Sequence, residues 1–86
     1  MAELLDIDNV RMIKTEKKAK EVLNDMIQIA ELFGFVKRSI YMDLLGVEPG
    51  PIDYKYGWNE FMIKEARIVS TKRGYFIEFP RSLPLE

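Results

Sequence analysis

GVEPGPIDYKYGW, residues 46–58, decides the fold, because everything before it reads as helix and everything well after it reads as strand. The stretch holds two of the four prolines, three of the five glycines and the only tryptophan. Pro49 and Pro51 bracket Gly50. Pro-Gly sets a type II turn, proline fixing φ at the first corner and glycine supplying φ > 0 at the second, so a chain reversal is expected here. Ile52, Tyr54, Tyr56 and Trp58 then alternate with Asp53, Lys55 and Gly57, which fits either a strand over residues 52–56 or an irregular aromatic loop.

Toward the N-terminus, Ala19, Val22, Leu23, Met26, Ile29, Ala30 and Phe33 recur at about 100° per residue with Lys17, Glu21, Asn24 and Gln28 opposite, the pattern of an amphipathic helix. It starts at Asp6 or Asp8, both able to cap, or at Thr15, and stops where Gly34 takes the left-handed position with Phe35 packing back on the last turn. Begun near Asn9 it would run about 37 Å. The same residues fit heptad a and d positions, but the stripe through Leu23 and Ala30 is wider than a two-stranded seam, which favours core packing over a coiled coil. After a connector at Val36-Lys37-Arg38, a second helix is expected over Ser39–Leu45. Ser39 is its cap, and Gly46 with Val47 is its stop.

Toward the C-terminus, Asn59 caps one helical turn through Glu60, Phe61 and Met62. Residues 67–71 and 75–79 flank Lys72-Arg73-Gly74, which suits a three-residue hairpin loop. That register pairs Thr71 with Tyr75, Val69 with Ile77 and Arg67 with Phe79 on a core face, and Ile68 with Glu78 and Ser70 with Phe76 on the other. A two-stranded hairpin is marginal alone, so it should pack on the long helix and gain a third strand, from residues 52–56 or from another subunit. Pro80 and Pro84 are expected to send the tail out extended. The fold class is α+β over one domain, residues 1–86: a long amphipathic helix, a short helix, a turn-rich Pro/Gly connector and a C-terminal hairpin.

At 86 residues the chain buries only a modest core, while 48% apolar content is too much for a disordered tail. A net charge of −1 supplies no global field toward nucleic acid or anionic lipid. The absence of histidine removes the commonest general base and transition-metal ligand, and the absence of cysteine excludes disulfide and thiolate chemistry. No leader pattern and no run of eighteen apolar residues is present, so a cytoplasmic protein without a membrane span is expected. No enzyme activity and no cofactor is expected.

Gly46-Val47-Glu48-Pro49, Gly57-Trp58, Ala66-Arg67-Ile68-Val69 and Gly74 through Arg81, in that order, resemble a group of small uncharacterised bacteriophage and prophage proteins. The likeness extends to Gly34-Phe35-Val36, Leu45-Gly46 and Leu83-Pro84 and covers about residues 33–84. It implies a shared fold and a viral origin, with the host cytoplasm as location, and no activity. The group has Thr or Ser directly after the valine, where this chain has Lys37, which leaves the start of the short helix open.

Asp6, Asp8 and Asn9 open like a calcium loop, but Arg11 stands where glycine is needed and Lys17 where glutamate is, so helix capping is the better reading. Asp43, Glu48 and Asp53 cluster near the connector without a second catalytic partner and read as solvated surface. Lys14, Lys17, Lys18, Lys72 and Arg73 form the runner-up reading, a nucleic-acid contact. It is disfavoured because Glu16 and Glu21 intersperse the lysines. The favoured reading is a protein-interaction or assembly role, with another phage or host protein or a second copy as partner and Tyr54, Tyr56, Trp58, Phe61, Ile68 and Phe76 as the candidate surface, although Tyr54, Tyr56, Trp58 and Phe61 read more readily as core closing over the helix. Self-association is expected through the helix stripe at Met26 or through the hairpin at Phe76.

Overall fold

A computed structural model describes residues 12–85, with the element order expected of an α+β fold. The first helix, α1 (Glu16–Phe33), starts at the later of the two candidate sites: Thr15 is extended and its hydroxyl accepts from the Lys18 N–H at 3.1 Å. Asp6 and Asp8 lie outside the described residues. The stop is Gly34, at φ 87°, whose N–H donates to the Ala30 carbonyl at 2.7 Å.

The chain then extends as β1 (Phe35–Lys37), where a connector was expected, and turns into α2 (Arg38–Leu44). Lys37 takes the cap position without a side-chain cap bond, and Ser39 is buried inside the first turn instead of capping it. The end of α2 is a Schellman motif: the Val47 N–H reaches the Met42 carbonyl at 2.9 Å and the Gly46 N–H reaches Asp43 at 3.0 Å, with Gly46 at φ 75°.

The Pro-Gly pair does not make a type II turn, because Gly50 sits at φ −88°, ψ 172°. Pro51 instead starts a 3-10 helix (Pro51–Tyr54), and the Asp53 carboxylate accepts the Gly50 N–H at 2.8 Å. The strand proposed at residues 52–56 is displaced to β2 (Tyr56–Asn59). It pairs antiparallel with β1, Val36 opposite Trp58 and Lys37 opposite Gly57. As expected, Asn59 caps the short helix α3 (Glu60–Ile63) by accepting the Met62 N–H at 2.8 Å.

β3 (Arg67–Thr71) and β4 (Gly74–Glu78) form the hairpin with a two-residue loop, Thr71 opposite Gly74 and Ile68 opposite Ile77. The expected register is off by one. Thr71 closes the shorter loop, its hydroxyl accepting the Arg73 N–H and donating to the Gly74 carbonyl at 2.9 Å. Ile68 therefore joins Tyr75 and Ile77 against the core, and Val69 faces Phe76 on the other side of the ribbon. The third-strand contact to the hairpin comes from Ile13, which exchanges two backbone hydrogen bonds with Tyr75, at 2.6 and 2.8 Å, and not from residues 52–56. The tail does not leave the molecule. Leu83–Pro84 is a short strand, β5, on the free edge of β2, and the Leu85 N–H donates to the Lys55 carbonyl at 2.8 Å.

The core lies between α1, through Ala19, Val22, Met26 and Ala30, and the two sheets, through Val36, Trp58 and Ile77, with Ile63 closing one end. Met26 is completely buried, so the helix stripe is consumed inside the chain and is not a self-association face. One stripe residue escapes: Phe33, placed by its periodicity with the core, is 69% exposed because the core ends a turn earlier.

Candidate functional site

The aromatic group, which reads either as core closing over the helix or as one binding surface, is divided by the fold. Trp58 is core: its indole N–H donates to the Pro80 carbonyl at 2.7 Å, and its ring stacks on Phe79 at 4.5 Å, with Tyr41 edge-on to Phe79 at 4.8 Å. Tyr56, Ile68 and Phe76 are half-buried, and Tyr54 is exposed on the 3-10 helix. Phe61 alone of the six projects strongly, at 74%.

Phe61 has company that periodicity hid. Leu32 (77%), Phe33 and Phe35 (39%) are exposed at the same junction, where α1 ends, β1 begins and α3 starts. The register that sets Phe35 opposite Asn59 brings the chain near 33 against the chain near 61. Two of the carboxylates here share one cation, since Lys64 Nζ lies 3.1 Å from Glu31 and 3.9 Å from Glu60. Of this group the sequence singles out Phe61 alone, in a helical turn and in the candidate surface, because Leu32 and Phe33 read as helix and Phe35 as a helix-stop contact.

The opposite end of α1 carries the basic candidates. The bridge between Ile13 and Tyr75 lays Lys14 beside the hairpin, so close that a Cβ on Gly74 would come within 3.9 Å of the Lys14 Cα. Lys14, Lys17 and Lys18 at the start of α1 thus share one end of the molecule with Lys72 and Arg73 at the hairpin tip, all exposed and none in an ion pair among the described residues. Of the two acids expected to offset them, Glu16 is held by Lys20 at 3.7 Å, while Glu21 stays exposed further along α1.

The acidic candidates do not converge. Asp43 and Glu48 are exposed, while Asp53 is 4% exposed with its Oδ1 3.2 Å from the Arg38 guanidinium. That approach is ionic without an aligned hydrogen bond, so Asp53 is a structural link between α2 and the 3-10 helix. The cleft beside Arg38, lined by Tyr41, Trp58 and Ser82, encloses about 190 Å³, below the size of a small-molecule site. Among the described residues no group of three or more His, Cys, Asp or Glu side chains is arranged to hold a metal, and no helix is long and apolar enough to cross a membrane. The calcium-like run at Asp6, Asp8 and Asn9 lies outside them.

In comparisons with protein-family models, curated proteins and solved structures, nothing matches this chain.

Proposed function

We propose that this protein is a non-enzymatic assembly module that self-associates, copy to copy, through the apolar end formed by Leu32, Phe33, Phe35 and Phe61. What carries the reading is the exposure of four large apolar side chains at one junction of a small protein that buries Met26, Val22 and Ala30 completely or nearly so. A second copy is the occupant that suits the surrounding charge. Lys64 bridges Glu31 and Glu60 within the chain, which leaves a single net negative charge in this trio, so two such ends meet about a twofold axis without strong repulsion in physiological salt. The viral origin implied by the spacing of glycines, prolines and aromatics belongs to the same proposal, with the host cytoplasm as its location.

Light scattering behind size exclusion, over a tenfold concentration range, tests it. The wild-type chain should approach twice its 10.1 kDa mass at the upper end, and Phe33→Ser with Phe61→Ser should stay at 10.1 kDa with an unchanged circular dichroism spectrum. A wild-type monomer at every concentration would sink the proposal. A double variant that still dimerises would move the contact elsewhere.

A further inference from the structure

We propose that the basic end of the molecule binds duplex nucleic acid through its phosphate backbone, independently of sequence and of the self-association proposed above. The net charge of −1 conceals a separation of charge. Five of the thirteen cationic residues lie at this end with no ion-pair partner among the described residues, leaving eight against fourteen acidic residues over the rest of the chain. Among the described residues the acids nearest this end are Glu16, already held by Lys20, Glu21 a turn further along α1, and Glu48 beside Val47. The fold alone gives no reason for the arrangement. Lys17 and Lys18 lie in the first turn of α1, where the helix dipole disfavours positive charge, and the bridge at Ile13 brings a further cationic pair toward them.

Other polyanions fit less well. A lipid surface is recognised by cations beside apolar side chains that enter the headgroup layer, but among the described residues the cluster at Leu32, Phe33, Phe35 and Phe61 sits at the far end of the 18-residue α1, about 27 Å away, with Met12 exposed near the lysines. Single strands need aromatic faces for their bases, and among the described residues no exposed aromatic stands at this end. Lysines at a helix start and a Lys-Arg pair on a narrow two-residue β-ribbon tip are suited to the dense, regular phosphates of a duplex, which position a protein without reading bases.

The test is a fluorescence anisotropy titration of a labelled mixed-sequence 20-base-pair DNA duplex, repeated from 50 to 200 mM salt, with single-stranded DNA, polyglutamate and phosphatidylserine vesicles as competitors. Neutralising four or five phosphates predicts a fall in affinity of roughly 150- to 500-fold across that range. Lys72→Ala with Arg73→Ala should lower the salt slope by about 1.8, while Lys55→Ala with Arg81→Ala, the same charge removed elsewhere, should not. Running the Phe33→Ser, Phe61→Ser protein alongside keeps this test separate from the self-association test, because the basic end is intact in it. Absence of binding at 50 mM salt, an equal loss from both double alanine variants, or better competition by vesicles, polyglutamate or single strands than by unlabelled duplex overturns the proposal.

Discussion

Replacing Gly57 with alanine should damage the protein far more than replacing Gly50, although Gly50 stands in the Pro-Gly-Pro run that reads as the turn. Gly57 is in β2, the centre of the three-stranded sheet, where a Cβ would lie 2.2 Å from the Val36 carbonyl oxygen, 2.9 Å from the Lys37 Cα and 2.7 Å from a Leu85 methyl carbon. A carbon-to-oxygen contact needs about 3.3 Å, so β1 and β2 must part by roughly 1 Å. That is enough to lose one or two ladder bonds worth about 0.5–1.5 kcal/mol each. With the overpacking of neighbours such as buried Trp58, the total cost is about 2–4 kcal/mol. An 86-residue domain has roughly 4–13 kcal/mol of stability, so the melting temperature should fall by about 10–30 °C. At Gly50 a Cβ would meet only Asp53 Oδ2, at 3.7 Å, and φ −88° suits any residue, so alanine should leave the midpoint unchanged or raise it slightly by restricting the unfolded chain. Thermal and urea unfolding followed by circular dichroism, at one fixed protein concentration, decides the matter. A Gly57→Ala protein that melts within about 2 °C of wild type, or a Gly50→Ala protein that loses more, would refute the close approach of β1 to β2.

Trp58→Phe keeps most of the stack on Phe79 but leaves the Pro80 carbonyl without its donor, and urea unfolding should report a loss of about 1–2 kcal/mol. Thr15→Ala removes the hydroxyl that accepts the Lys18 N–H, so it should cost about 1 kcal/mol, with hydrogen exchange rising first in the opening turn of α1. Gly74→Val should exceed 1 kcal/mol, as expected from a hairpin glycine, yet with an added cause: φ is 142°, and a Cβ would stand 2.7 Å from the Ile13 carbonyl oxygen. Release of the Ile13 bridge in this variant would appear as lost protection of the Tyr75 amide.

Elements whose ends are written in local chemistry were legible from the residues. Thr15 and Gly34 bound α1, Gly46 and Val47 stop α2, and Asn59 opens α3, because each is a cap that acts within a few residues of itself. β1 and β5, at three and two residues, are too short to carry a period and exist only because β2 lies between them. The hairpin was recognised and its register missed, since the choice between a two- and a three-residue loop rests on Thr71 and on the approach of Ile13, sixty residues away in sequence. Periodicity gave the side of α1 that faces inward but not how far along its axis the core reaches, which is why Phe33 was read as buried. The five basic residues are legible one by one and disfavoured as a site for a related reason: only the Ile13–Tyr75 bridge brings Lys14 to the hairpin, and averaging charge over the whole chain conceals their grouping.

The central claim, that α1 joins an end that associates to an end that stays free, is tested most directly by a distance between two copies. The chain contains no cysteine, so single cysteines at Lys72 and at Glu65 can each carry a spin label, and pulsed electron–electron resonance reads the separation between copies. If two molecules meet at the Phe33–Phe61 end, each α1 points away from the contact and the labels at 72 should lie about 50 Å apart or more, given two helices of roughly 27 Å, with those at 65 much closer. Labels at 72 closer together than labels at 65, or no dipolar coupling from either site at concentrations where the protein should pair, would contradict the account.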